Sequence, residues 1–269
     1  MTHSPTAIRA LLAAHGLEAS RALGQNFVAD ANTVRKIARL ARVGPGDRVV
    51  EVGAGLGSLT LALRETGAAV TAIEVDRHLT PVLRSVVEPA GATVVEADAM
   101  HLDWTGLLGD GPWVLVANLP YNIATPLVLD LLELVPAIER MLVLVQLEVA
   151  ERLAAGPGTK AYGIPSVKRA WWAEATIAGK VAPSVFIPQP RVHSGLVDIR
   201  RHAPAASAAV RAVVFDLIET GFNQRRKMLR RSLAAKVGPG DLEAAGIRPE
   251  ARAEELTLED WLRLAAVLG

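Results

Sequence analysis

Five apolar segments recur between residues 48 and 146, at 48–53, 70–75, 93–96, 113–117 and 140–146, each rich in β-branched residues or Leu and without polar alternation. A strand with one face in water alternates polar with apolar residues, so unbroken apolar runs of strand length belong to strands covered on both faces. Stretches of helical length separate them, at 57–66, 77–88, 103–108 and 124–134. This alternation predicts an α/β fold built on a doubly wound, mostly parallel sheet. Strands at 173–182 and 194–201 raise the count to seven, and the second of them is expected to run antiparallel because no helix comes between the two. Before the sheet, helices are expected at 6–15, with Thr6 as N-cap and Gly16 as stop, and from Asp30 to about Val43. A helix at 148–155 leads into a Gly/Pro loop.

The segment His202-Ala203-Pro204-Ala205-Ala206-Ser207 reads as a linker. Beyond it the chain is expected to be all-helical, at 208–220, 223–236, 240–245, 249–253 and 258–268, with Thr257-Leu258-Glu259-Asp260 as a capping box for the last helix. The predicted domains are 1–203, carrying the sheet, and 204–269, a small helical domain. With 269 residues, 51% of them hydrophobic, the chain can bury both cores. The absence of Cys excludes disulfides, zinc-thiolate sites and a Cys nucleophile. No apolar run nears the ~18 residues of a membrane span, and no signal peptide is recognisable, so a cytoplasmic protein is expected. A net charge of +1 favours no partner by itself.

Glu51-Val52-Gly53-Ala54-Gly55-Leu56-Gly57 carries a strand into a glycine turn that opens a helix. A dinucleotide fingerprint, G-x-G-x-x-G, would need Gly where Ser58 or Thr60 stands, and no Walker lysine follows. S-adenosylmethionine has no phosphate; it needs backbone room for its methionine part and acceptors for ribose and adenine. Glu74, at the end of the second strand, is placed to accept from the ribose hydroxyls, as an NAD enzyme would also use it. Asp98, ending the third, is placed to accept from an adenine amine, or else to cap a helix. Three successive strands thus end in polar groups or glycines on the side where open α/β sheets bind ligands.

Asn118-Leu119-Pro120-Tyr121 follows the fourth strand of this series. The Asn118 side-chain oxygen and the carbonyl of Leu119 or Pro120 could accept both hydrogens of an adenine N6 amine, drawing its delocalised lone pair towards a tetrahedral nitrogen, while Tyr121 stacks on the base. Phe186, in the proline-stiffened Val185-Phe186-Ile187-Pro188-Gln189-Pro190, would sandwich a flipped base against Tyr121. No general base is evident: the amine turns acidic once methylated and can lose its proton to water. Phe222 to Arg231 carries Arg225, Arg226, Lys227, Arg230 and Arg231 and no acid. With Lys236 it predicts a basic helix for phosphate contact, and Lys160 in the Gly-rich loop 156–163 is a further candidate. Trp171-Trp172 is read as core.

Leu23-Gly24-Gln25-Asn26-Phe27, the glycine turn, Glu74-Val75-Asp76, Asp98-Ala99-Met100, Asn118-Leu119-Pro120-Tyr121-Asn122, Glu148 to Leu153, Val185 to Pro190 and Phe222 to Lys227 occur in this order. Together they resemble the small-subunit ribosomal RNA adenine N6,N6-dimethyltransferases, over about residues 20–265. The resemblance implies a Rossmann-like class I methyltransferase domain with a helical RNA-binding domain. It implies S-adenosylmethionine contacts at Asn26, Val28, Gly53, Glu74, Asp98 and Asn118, with Gln25, Gly55 and Ala99 counted beside them, and catalysis at Asn118, Leu119, Pro120, Tyr121 and Phe186 without a metal. The implied substrate is a pair of adjacent adenosines in a hairpin near the 3′ end of 16S rRNA, as free RNA or in a pre-30S particle, methylated by a monomer. The family often has Lys where this chain has Leu147 and Asp where it has His193. Three alternatives compete: a large-subunit rRNA methyltransferase conferring macrolide resistance, disfavoured by Asn223-Gln224-Arg225-Arg226-Lys227; a non-catalytic nucleic-acid-binding factor on the same fold, disfavoured by the intact Gly53, Glu74, Asp98 and Asn118 set; and a small-molecule methyltransferase, disfavoured by the basic run.

Overall fold

A computed structural model describes residues 4–20 and 23–269. Among the described residues nine strands form: β1 (Phe27–Val28), β2 (Arg48–Val52), β3 (Ala69–Glu74), β4 (Thr93–Glu96), β5 (Trp113–Asn118), β6 (Ile138–Gln146), β7 (Ala173–Val181), β8 (Phe186–Ile187) and β9 (Ser194–Arg201). Seven of them make one sheet in the order β4-β3-β2-β5-β6-β9-β7. The pairs from β4 to β6 are parallel, and β9 runs antiparallel to β6 from Arg140↔Arg200 to Gln146↔Ser194. Their apolar residues are buried because helices cover both faces, as the unalternating patterns require. Strand order reverses at β2, whose neighbours are β3 on one side and β5 on the other. In open sheets of this kind that switch point opens the ligand crevice beyond the carboxyl ends of the strands.

The sequence did not announce β1 and β8, each two residues long, which pair with Phe27 opposite Ile187 and Val28 opposite Phe186. The helix at Pro5–Ala14 is capped by Ser4, whose hydroxyl accepts from Ala7 N, rather than by Thr6. Asp30 does cap the helix Ala31–Ala41 through Thr33 N at 2.7 Å. A further helix, Ile164–Ala170, stands in the expected Gly/Pro loop region.

The chain divides into two compact units. The first comprises 1–150 and 176–201 and contains most of the sheet. The second comprises 202–269 together with 151–175, a segment that the sequence placed with the sheet domain. Its aromatic residues explain the allegiance: Trp171 packs edge-on against Phe215 at 5.5 Å, and Tyr162 against Phe222 at 6.1 Å. The Tyr162 hydroxyl donates to Leu256 O, and Gly158 N donates to Glu254 O, so the loop 156–163 is tied to the C-terminal helices of its own unit. Trp171 and Trp172 are buried core residues.

The expected basic helix 223–236 does not form. The helix Ala208–Asn223 ends at Gln224, residues 224–227 form a turn, and a four-residue helix, Leu229–Ser232, starts after the extended Met228. The run Asn223 to Lys227 has no apolar residue to place on a buried stripe, and adjacent like charges oppose continuation.

Candidate active site

One pocket opens at the carboxyl ends of β2, β3, β4 and β5, and segment 23–28 closes one of its walls. Gln25, Asn26, Val28, Gly53, Gly55, Glu74, Asp98, Ala99 and Asn118 all line it, as do Leu119, Pro120 and Tyr121. The glycine turn explains how so many segments converge. Gly53 and Gly55 have φ of +71° and +58°, a region that side chains resist. A Cβ on Gly55 would lie 2.9 Å from the Phe27 ring, and one on Gly53 3.3 Å from Pro120 Cδ. Bare backbone at these two positions lets the wall segment and the Asn-Leu-Pro-Tyr loop approach the turn. Gln25 fastens the wall: its amide nitrogen donates to Asp76 Oδ2 at 2.8 Å and its oxygen accepts from Ser20 N at 2.8 Å.

Glu74 is buried, and its carboxylate holds the turn. Oε2 accepts from Gly55 N at 2.8 Å; Oε1 accepts from Val75 N at 3.1 Å and Asp76 N at 3.0 Å. A carboxylate has about four acceptor sites, so three are committed to backbone before any ribose arrives. Burial raises its pKa, and the backbone bonds oppose that rise. Asp98 is exposed and bonds Met100 N at 2.9 Å within a turn. The following helix, Trp104–Leu108, is capped by Asp103 instead, so the helix-cap reading of Asp98 does not hold.

Asn118, the last residue of β5, donates from Nδ2 to the backbone carbonyl of Asn26 at 2.8 Å. A carbonyl can only accept, so this bond decides which end of the amide is nitrogen and leaves Oδ1 available as an acceptor. Tyr121 is half-buried, and its hydroxyl lies 2.9 Å from Ser194 Oγ at the start of β9, which orients the ring. Burial raises the Tyr121 pKa, with the Ser194 bond acting against it. Sequence reasoning missed Ser194: a lone Ser opening an apolar strand carries no signal of a partner 73 residues away.

Phe186 corrects the sequence reading. It is 2% exposed, packs in the core cluster with Val28 and Leu196, and does not line the pocket. Strand pairing fixes it there: β8 bonds β1, and Ala29 N donates to Val185 O at 2.7 Å. Its place is behind the wall segment, which it holds through Val28, rather than across from Tyr121. The cations are also rearranged. Arg225 pairs with Glu254 at 2.7 Å and donates to Lys160 O at 2.8 Å; Arg230 pairs with Glu250 at 3.4 Å; Lys236 pairs with Asp216. The acidic segment 241–260 therefore neutralises part of the run instead of isolating it. Among the described residues Arg226, Lys227 and Arg231 are exposed and form no ion pair, and Lys160 is exposed.

The pocket's chemistry narrows its ligand. Glu51, Glu74 and Asp98 line it, and among the described residues no Lys, Arg or His does. Phosphates, which need cations or a helix N-terminus free of nearby acids, are poorly served; a nucleoside bearing positive charge is well served. S-adenosylmethionine is such a nucleoside, and the acceptors at the ends of β3 and β4 suit its ribose and adenine.

Known proteins agree. A family model described as ribosomal RNA adenine dimethylase matches residues 16–269. A Streptomyces coelicolor protein named ribosomal RNA small subunit methyltransferase A is 50% identical, the match covering 97% of this chain and 95% of the relative. A Leifsonia xyli protein of the same name is 48% identical over 97% of each. Among solved structures, the 23S rRNA methyltransferase ErmE superposes with a TM-score of 0.72 at 28% identity, covering 90% of this chain and 99% of that one. A dimethyladenosine transferase from Plasmodium falciparum has the same fold, with a TM-score of 0.74 at 23% identity and coverage of 87% and 94%. With the model spanning nearly the whole chain and relatives at half identity, this chain belongs to the ribosomal RNA adenine dimethylase family, and its methyl donor is S-adenosylmethionine.

Proposed function

We propose that this protein dimethylates N6 of two adjacent adenosines in a hairpin near the 3′ end of small-subunit rRNA, acting as a monomer on a pre-30S particle in the cytoplasm. The observation that carries the reading is the oriented amide of Asn118, an acceptor held at the rim of an acid-lined pocket beside Leu119, Pro120 and Tyr121. Half identity to relatives named for the small subunit, against 28% to the large-subunit enzyme, supports the choice of particle.

Bound in the pocket, S-adenosylmethionine supplies a methyl group activated by its positive sulfur. The protein's part is positioning. Asn118 Oδ1 and the Leu119 or Pro120 carbonyl accept from the two N6 hydrogens, so the nitrogen lone pair localises along the direction of attack. These acceptors would hold N6 in line with the methyl group that the cofactor would supply, and the amine, acidic once methylated, would lose its extra proton to water. The Tyr121 ring, braced by Ser194, stacks on the flipped base; such stacking is worth about 1–3 kcal/mol. Alignment of the two reactants can supply up to ~7–11 kcal/mol without a general base. Asp98 and Glu74 take the nucleoside, and Arg226, Lys227, Arg231 and Lys160 face RNA phosphates, while Arg225 and Arg230 brace their own unit.

Single-turnover methylation of small-subunit particles from a strain lacking the modification tests this, with Asn118→Asp as the critical variant. A carboxylate cannot donate to Asn26 O, so the side chain turns and transfer falls at least 100-fold, while RNA affinity is retained. Transfer at the normal rate by Asn118→Asp, or no transfer to these particles by the wild type, would refute it.

A further inference from the structure

Glu51 is the one acid of the pocket that the reaction above leaves without a role. It lies within β2, two residues before Gly53, is 2% exposed, and still lines the pocket. It accepts a hydrogen bond from Thr60 Oγ1 at 2.6 Å, and Thr60 is itself fully buried on the helix Ser58–Arg64. A bond from one hydroxyl does little to repay the burial of a charge. Among the described residues no cation lines the pocket to compensate. The ionisable groups that share the pocket lining with Glu51 are Glu74 from β3, Asp98 beyond β4 and Tyr121 beyond β5; from the helix Ser58–Arg64, Ser58 and Leu59 line the pocket and Thr60 gives Glu51 its hydroxyl, and none of the three is ionisable. Ser58 Oγ, also buried on the pocket lining, has no partner at all. Below the glycine turn, then, the structure keeps a buried carboxyl with one hydroxyl partner and no counter-ion from the pocket lining, beside an unused hydroxyl.

Burial pushes the Glu51 carboxyl up to about 8, against the Thr60 bond, and the nearby Glu74 adds to the rise. The methionine half of the cofactor brings what this wall lacks, a positively charged sulfonium and an ammonium. We infer that Glu51 is a further cofactor-binding residue, uncharged in the free protein and ionised against the positive methionine half of S-adenosylmethionine, so that binding expels one proton to solvent. The proton passes from the carboxyl to buffer, no covalent bond changes, and the charge pair forms inside the pocket, where it is little screened. The inference rests on the cofactor assignment above but makes a separate claim.

Calorimetric titration of the full chain with S-adenosylmethionine at pH 6.5, in buffers of different ionisation enthalpy, counts the proton directly. At that pH the ligand's own α-ammonium, ordinarily titrating near 7.7–8.0, contributes little. Close to one proton released per site is expected, with affinity rising nearly tenfold from pH 6 to pH 7. Glu51→Gln, which copies the uncharged carboxyl, should bind with no proton released and a flat pH profile. Thr60→Val removes the bond favouring the ionised form and should extend proton release to higher pH. This second variant keeps the test open if the first folds poorly. S-adenosylhomocysteine retains the ammonium but not the sulfonium charge: release with both ligands locates the ammonium at Glu51, and release with S-adenosylmethionine alone locates the sulfonium. Binding by the wild type without proton release, or release undiminished in Glu51→Gln, overturns the inference. Failure of either ligand to bind at all would instead strike the cofactor assignment.

Discussion

Replacing Glu74 by Gln looks conservative, and the geometry says it is not. The carboxylate serves donors on both sides, Gly55 N on one oxygen and Val75 N with Asp76 N on the other. A carboxamide has one oxygen, so either Gly55 or the Val75 and Asp76 pair would face an NH2 group that can only donate. Val75 and Asp76 are exposed or half-exposed and can turn to water, whereas Gly55 is buried. The side chain therefore keeps its oxygen on Gly55 and presents NH2 to the other two donors. The stability cost is that of weakened bonds near the surface, about 1–2 kcal/mol. In Glu74→Ala the buried Gly55 N–H loses its carboxylate partner, at a cost of about 1–3 kcal/mol, to which the cavity adds. For a domain of this size that corresponds to a fall in Tm of roughly 2–12 °C. Cofactor affinity should fall with it: the ribose loses a charge-assisted acceptor worth about 1.5–3 kcal/mol, or roughly 10–150-fold. Only Glu74→Ala also loses the brace on Gly55 and so loosens the turn; its loss should exceed that of Glu74→Gln, which should still fall clearly below wild type. Calorimetric binding of S-adenosylhomocysteine and thermal melts of the three proteins measure both quantities. A Gln variant with wild-type affinity and Tm would show that the carboxylate neither braces the turn nor receives the ribose.

Other outcomes follow from the same geometry. Tyr121→Phe keeps the stacking ring but frees it from Ser194, so methyl transfer should slow by less than about tenfold, while Tyr121→Ala should also weaken capture of the base; equal activity of all three in single-turnover assays would remove Tyr121 from the site. Replacing Arg226, Lys227 and Arg231 together by Ala should flatten the log–log salt dependence of RNA binding by about 0.7–0.9 per lost phosphate contact and spare Tm, whereas Arg225→Ala, which breaks the link to Glu254 and Lys160 O, should lower Tm; an unchanged salt slope would make the three a solvated surface. Burial pushes the Glu51 carboxyl from its ordinary 4.5 up to about 8 in the fold, so between these pH values the folded state holds the extra proton and stability falls as pH rises, by up to about 1.4 kcal/mol per pH unit. Urea unfolding of the cofactor-free protein at pH 5.5 and 7.5 should show a steeper decline in wild type than in Glu51→Gln, in which the raised Glu74 remains; parallel declines would mean that another group is responsible.

The sheet is legible in the sequence because its signals are local. Unalternating apolar runs state that both faces of a strand are covered, and strand-helix alternation leaves little topological choice. The strand ends carrying Glu74, Asp98 and Asn118 fall at the crevice for the same reason, as do Gly53 and Gly55, whose positive φ almost any other residue would resist. What the chain hides is anything depending on a partner far along it. The bond from Asn118 to Asn26 spans 92 residues, that from Tyr121 to Ser194 spans 73, and no periodicity foretells either. Phe186 reads identically in sequence whether it faces a base or a core; pairing with β1 turns it inward. The run of cations reads as one helix until Glu254, Glu250 and Asp216 claim three of its members from other elements. Glu51 is one acid among many until folding buries it beside a cofactor pocket without a counter-ion. Local propensity and patterning settle which elements form and where their ends lie. Which charges are spent within the fold, and which are left for a ligand, is decided only when distant segments pack, because pairing and burial depend on distance in space.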